Sequence, residues 1–523
     1  MTRKAPLEVK RFGSQPILER LRAWDGQGPL ELPDEPPLSE GALRFASGAL
    51  EGLGLSDAQA VETRLLAIDQ ALEAALRQRD DDSLRVLVQT LGATGALVVA
   101  DALAARLAAR APAGTANLAE LARRVVATAW DREALKLGTV MLGVCGAPTD
   151  VPLLEEVARH DEFTLYAAVA VGALLEDPRD AWWGMAQRVR GWGKIQVVQR
   201  LAPQVGERAD LRGWLLREGC ANDIMPEYLA LPCALHGRLV SALEEGPVDE
   251  ALLDGAVQIA QALLNGGPAE DVDDFDQGAT LFRLLARTLE PRCETLDRLA
   301  FFFSLHRWLE WPIAKGSGDA LWADRARRGF TKAVRAELAW SCERVKARPG
   351  WRERVLAAVD EETARCGAWA LAPWLGVDLW EVGFAQLAER PLDDYLWYQL
   401  LQTDAPERFS RLLSFAERSL PLERIASGPA HALGFGEAFA PHACLGFVLQ
   451  RLEQHPSTSD ALIAAALRSP VVRNRNGAIA VLESHPAEEW GAKTRQALAQ
   501  TLVDEPREDV KERLRRLARA SVA

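Results

Sequence analysis

The chain has 523 residues and a formal net charge of −13. That length exceeds one compact core and calls for about three domains or an elongated repeat array. The acidic balance sets the molecule as a whole against nucleic acid and anionic membranes, unless a local patch reverses the sign. Hydrophobic residues at 48% and charged residues at 26% describe an ordinary globular balance. No stretch approaches the roughly 20 uninterrupted apolar residues that span a bilayer. Met1 to Pro16 carries basic residues with no apolar run behind them, so no secretory leader is expected. The cysteines stand singly at Cys145, Cys220, Cys233, Cys293, Cys342, Cys366 and Cys444. With no C-x-x-C pair and an odd count, they read as reduced thiols of a cytoplasmic protein.

In chain order, Leu18 to Trp24 reads as a short helix. Gly26 to Ser39 is too rich in proline to hold one and reads as a strap or solvated linker. From Glu40 the pattern is helix after helix: Leu43–Leu53, Asp57–Arg77, Ser83–Leu91, Leu97–Ala109 and Ala116–Ala127. In the second of these, Ala60, Leu65, Ile68, Leu72 and Leu76 form an apolar stripe at helical spacing. No alternating run makes a convincing sheet. Between residues 131 and 176 the order is helix, turn, helix opened by Val151-Pro152-Leu153-Leu154, break at His160-Asp161-Glu162, and a small-residue helix from Phe163. The text resumes that form at 461–467, 471–482, 490–502 and 507–518, broken at Pro470 and Pro506. Residues 246–440 are helical with poor periodicity. The chain is therefore read as all-α: a strap (1–40), helical repeats (41–245), divergent hairpins (246–440) and terminal repeats (441–523).

The turn ending in Asp150, the V-P-L-L helix and the small-residue helix resemble the HEAT-type repeat. That resemblance implies an α-solenoid of roughly ten or more stacked antiparallel hairpins. GWGKIQVVQRL (191–201), WLLREGCANDIMPEYLALPCA (214–234) and SPVVRNRNGAIAVLE (469–483) are similar to a bacterial helical-repeat family. Its members are often labelled limonene hydroxylase, which implies an oxygenase. The resemblance covers most of the chain from about residue 130 and brings no catalytic residues with it.

The densest patch of unusual residues runs from Trp182 to Gly237. It reads as helix, tight turn, helix. Leu211, Trp214 and Leu215 share a face, Gly219 ends the first helix, Asn222 or Asp223 caps the next, and Pro226 lies in its first turn. Trp192, Trp214, Met225 and Tyr228 at these spacings suit a core. A binding reading places Arg190, Trp192, Lys194, Arg212, Arg217, Asp223 and Glu227 on a partner-binding surface, since aromatics with arginine favour interfaces.

Redox and metal chemistry find little support in the residues. Cys366 and Cys444 lie in helix-like text with no haem-binding loop. His160-Asp161-Glu162 has no second histidine near it and reads as an exposed break between helices. Gly434-Phe435-Gly436 starts a dinucleotide fingerprint that Phe439 interrupts. The spacing of Cys220, Cys233 and His236 fits none of the usual zinc knuckles, and Asp271 to Asp276 fails as a calcium loop in both registers. No cofactor is expected. Residues 325–354 are basic, and Arg327, Arg328, Lys332 and Arg335 form a candidate nucleic-acid face, or a solvated helix face that pairs with the chain's many acids. The expected function is a non-enzymatic scaffold or adaptor that binds a protein partner. A nucleic-acid-binding solenoid is the alternative, and an oxygenase follows from the family label alone.

Overall fold

A computed structural model describes residues 15–26, 28–35, 43–49, 61–110, 115–310, 318–455 and 458–520. Among these residues the protein is all-α. No strand forms, and an isolated parallel bridge joins Ala432 and Val471. The expected helix at Leu43–Leu53 falls partly outside the described residues, and Leu43 to Ala46 are not helical. The described residues separate into two compact units, one formed by residues up to 35 and Phe45–Pro349, the other by Leu43, Arg44 and the residues from Gly350 onward. That division falls inside the segment expected at 246–440.

The first unit holds α1 (Ile17–Ala23), α2 (Val61–Gln78), α3 (Asp81–Gly92), α4 (Ala96–Arg110), α5 (Thr115–Thr128) and α6 (Arg132–Cys145). Next come α7 (Val151–Val157), α8 (Asp161–Leu174), α9 (Arg179–Ala186), α10 (Gly191–Leu201) and α11 (Ala209–Trp214). The unit ends with α12 (Glu227–His236), α13 (Leu239–Glu245), α14 (Glu250–Asn265), α15 (Gly278–Leu289), α16 (Leu296–Glu310), α17 (Gly318–Arg327) and α18 (Lys332–Lys346). Helix starts follow the capping chemistry of the sequence. Asp80 accepts from Ser83 N at 2.8 Å, Asp131 from Glu133 N at 2.9 Å and Asp249 from Leu252 N at 2.7 Å.

The even-numbered helices from α2 to α18 form an unbroken series in which each packs on the next but one. The small residues read from the sequence serve this closeness: a Cβ on Gly143 of α6 would lie 2.8 Å from the Ala170 backbone of α8.

The strap is a packed element. Ile17 N donates to Ala129 O at 2.9 Å, and Ile17, Leu18 and Leu21 are buried against α5 and α7. Burial of each contributes about 1.5–3 kcal/mol. Arg159 donates to the carbonyls of Leu21 (2.7 Å) and Trp24 (2.5 Å), and Arg132 pairs with Asp34 at 2.9 Å. The guanidinium groups of Arg132 on α6 and Arg159 just past α7 thus hold the segment from Leu21 to Asp34.

The second unit holds α19 (Trp351–Ala358), α20 (Arg365–Leu371), α21 (Trp380–Glu389), α22 (Asp394–Leu400), α23 (Pro406–Ser419), α24 (Leu422–Ile425), α25 (Ala440–Leu452), α26 (Asp460–Leu467), α27 (Val472–Ser484), α28 (Ala492–Asp504) and α29 (Glu508–Ala520). Here α22, α25, α27 and α29 pack in series, as do α24, α26 and α28. The breaks at Pro470 and Pro506 fall between helices as their missing N–H groups require.

Candidate functional site

The central patch is built around Asp161, the first residue of α8. Its carboxylate accepts backbone N–H groups of Arg190, Trp192 and Gly193 at the start of α10, but burial outweighs them. The acid is pushed up to about 7, with Asp223 adding to the rise. The glycines of GWGK make this approach possible. Gly191 has a left-handed φ of 50°, and a Cβ there would lie 2.5 Å from Asp161 Oδ2. A Cβ on Gly193 would lie 2.6 Å from Asp161 Oδ1 and 2.7 Å from Thr164 Oγ1.

Downstream, α11 passes into a π-helical turn, Leu215–Gly219, which the sequence gives no sign of. Such turns are rare and recur at functional sites. Leu211, Trp214 and Leu215 are buried as the shared face predicts. Gly219 is the last residue of the turn but is not in the left-handed conformation expected of a terminating glycine, and a Cβ on it would lie 3.1 Å from Cys233 Sγ. Gly255 of α14 packs against the widened turn, where any Cβ would collide with the Leu216 carbonyl oxygen. Asn222 then stitches the elbow. Its Oδ1 accepts from Ile224 N (3.0 Å) and Met225 N (2.7 Å), and its Nδ2 donates to Cys220 O and Met225 O.

These elements wall a cleft of about 790 Å³. Its lining brings together Trp24, Asp25 and Gly26 of the strap with Arg188, Arg190, Lys194, Trp214, Glu218, Asn222 and Asp223. Lys194 Nζ donates to Glu218 O at 2.8 Å and lies 5.7 Å from the centroid of the Trp214 ring. Partial burial lowers its pKa, against the pull of nearby anionic groups.

The proposed partner-binding residues divide among four places. Arg190, Lys194 and Asp223 share the cleft. Trp192 is buried, 5.3 Å from Tyr228 between ring centroids, so its ring serves the core and not a surface. Arg212 and Arg217 line a second cavity of about 420 Å³, where Glu207 pairs with Arg212 at 2.5 Å and Asp249 with Arg217 at 2.7 Å. Glu227 accepts from Asn265 Nδ2 at 3.3 Å. Sequence reasoning missed Arg159 and the strap residues of the cleft. They lie 135 positions apart in the case of Arg159 and Trp24, beyond any local signal.

The basic stretch is largely occupied within the protein. Arg327 and Arg328 both pair with Asp324, at 2.6 and 3.3 Å. Arg335 lies 3.6 Å from the Trp322 ring centroid, and Lys332 is exposed. Arg325 is buried against Trp308 and Trp322 and pairs with Asp273 at 2.7 Å. The acidic 271–276 loop therefore serves this ion pair and, through Asp271 and Asp274, a capping box.

His160 is not an exposed break. It is buried between Trp24 and Phe163, and its Nδ1 accepts from Glu162 N at the start of α8. Burial lowers its pKa, so the ring favours the neutral form. Cys220 and Cys233 are buried thiols; burial pushes Cys220 up to about 12 and raises Cys233 as well. Among the described residues no group of three or more His, Cys, Asp or Glu gathers to hold a metal ion, and no helix is long and apolar enough to cross a membrane. Comparison with known protein families, curated proteins and solved structures finds no match for the chain.

Proposed function

We propose that this protein is a non-enzymatic cytoplasmic scaffold, a HEAT-like α-solenoid that holds a protein partner in the Arg190–Lys194–Asp223 cleft. The observation that carries the reading is the cleft itself. It is polar, spans several helices and the strap, and sits on a framework of glycine-mediated close packing. A site on rigid elements with both charged and aromatic walls suits recognition. The series of next-but-one helix contacts is what stacked hairpins produce, and it supports both the solenoid reading and the resemblance to bacterial helical-repeat proteins.

The test is a tagged pull-down from native cells, with mass spectrometry of retained proteins and an absorbance spectrum of the purified chain. Wild type is expected to retain a protein that Arg190→Glu with Lys194→Glu releases, while both melt alike. Retention of nucleic acid alone, equal retention by the variant, or a bound chromophore overturns the reading.

A further inference from the structure

We infer that the cleft receives an acidic peptide segment, with Lys194 as its central recognition group. The inference rests on the cleft being the partner-binding surface and names the chemistry of what it binds. Four cations line it, Arg159, Arg188, Arg190 and Lys194, against three carboxylates, Asp25, Glu218 and Asp223. The chain as a whole has 61 basic and 74 acidic residues, so the local balance is reversed.

Arg188 and Arg190 are also weakly compensated, whereas Arg159 is held by the carbonyls of Leu21 and Trp24. The carboxylate contacts of the first two are long, 3.7 Å from Arg188 to Glu155 and 3.8 Å from Arg190 to Asp223. Arginines elsewhere are held much closer, as in Arg217–Asp249 and Arg298–Asp254, both at 2.7 Å. Lys194 uses one of its donors on the Glu218 carbonyl, and an ammonium has three. An incoming carboxylate meets an ammonium that is already partly desolvated, where charge pairs are screened least.

The arrangement favours an extended ligand. Arg159 follows α7, Arg188 and Arg190 lie between α9 and α10, and Lys194 is in the first turn of α10. Cations spread over separate elements match several carboxylates along a strand, whereas a single phosphate prefers a convergent arginine fork. The interleaved Asp25, Glu218 and Asp223 disfavour an acidic segment seated out of register. Gln187 and Gln258 add amides to the lining for a peptide backbone.

The experiment measures fluorescence anisotropy of a labelled decaglutamate peptide against the full chain, beside decaglutamine and single-stranded decathymidylate. Decaglutamate is expected to bind, weakening as salt rises. Lys194→Gln and Arg190→Gln are each expected to weaken it about tenfold, a 1.4 kcal/mol change. Lys332→Gln, at an exposed site outside the cleft, leaves it unchanged, and melting curves check that the variants fold. Binding of decaglutamine or decathymidylate as tight as decaglutamate overturns the inference, as does indifference to Lys194→Gln. If the pull-down partner depends on Lys194 while decaglutamate does not bind, the acidic-peptide assignment falls and the scaffold reading stands.

Discussion

Arg475 and Glu505 form an ion pair with no solvent exposure on either side chain, bonded through Nε at 2.7 Å and Nη2 at 2.9 Å. The remaining arginine donors reach the carbonyls of Ser469, Pro470 and Ala430. One guanidinium thus links α27, the break before it, the loop before α25 and the turn after α28. Removing one partner leaves the other charge buried and unpaired. Glu505→Ala or Arg475→Ala is expected to cost about 3–5 kcal/mol. The Arg475→Met/Glu505→Leu double variant is expected to cost less than the two single losses together. Urea unfolding of all three measures this; additive losses would refute the coupling.

The pH dependence of the first unit has a defined sign at Asp161. Its folded pKa of about 7 stands above the ordinary carboxylate value. The folded state therefore holds the proton more tightly, and the contribution of this group falls as pH rises from about 4 to about 7. The full difference is on the order of 4 kcal/mol. Asp161→Asn is expected to flatten the stability profile across that window relative to wild type, as thermal melts at successive pH values would show. A parallel profile would show that the acid titrates normally.

Gly255 meets the π-helical turn too closely for any side chain. Gly255→Ala should destabilise the first unit by about 1–3 kcal/mol through forced backbone displacement, despite the better helix propensity of alanine. A denaturant midpoint equal to wild type would contradict the close packing.

Arg159 anchors the strap through two carbonyls. Arg159→Ala is expected to speed amide exchange at Trp24, whose N–H bonds to Arg20 O, while α6 and α8 keep their protection. Unchanged exchange at Trp24 would mean the apolar face of α1 is sufficient to hold the strap.

The basic stretch gives a fifth contrast. Arg327 and Arg328 share Asp324 and Arg335 covers Trp322. Changing all three arginines to glutamate is expected to leave single-stranded DNA retention no different from wild type at moderate salt. A salt-sensitive loss would restore the nucleic-acid reading.

Helices were legible where their local chemistry is self-sufficient. The stripe of Leu65, Ile68 and Leu72 acts within a few residues, and the observed helix α2 follows it closely. The same reading placed Trp192 correctly as a core residue in one alternative and as a surface anchor in the other, because spacing alone does not say which side a tryptophan faces. The cleft was only half legible. Arg190, Lys194 and Asp223 sit close in sequence, but the lining also draws on Trp24 to Gly26, which only tertiary pairing through Arg159 brings near. The π-helical turn left no mark either, and the residue packed closest against it, Gly255 of α14, lies far off in sequence.

The strap also sets a schedule for synthesis. Many side-chain bonds between helices link residues some 30 to 54 positions apart, as in Arg475–Glu505 and Arg344–Glu290, so neighbouring helices can pair soon after they emerge. The strap differs: Ile17 awaits Ala129, and Leu21 and Trp24 await Arg159. At ribosomal rates of roughly 5–20 residues per second, α1 remains without its binding surface for on the order of ten seconds. During that interval Ile17, Leu18 and Leu21 present an apolar face to the surroundings, an opening for a chaperone to engage the chain.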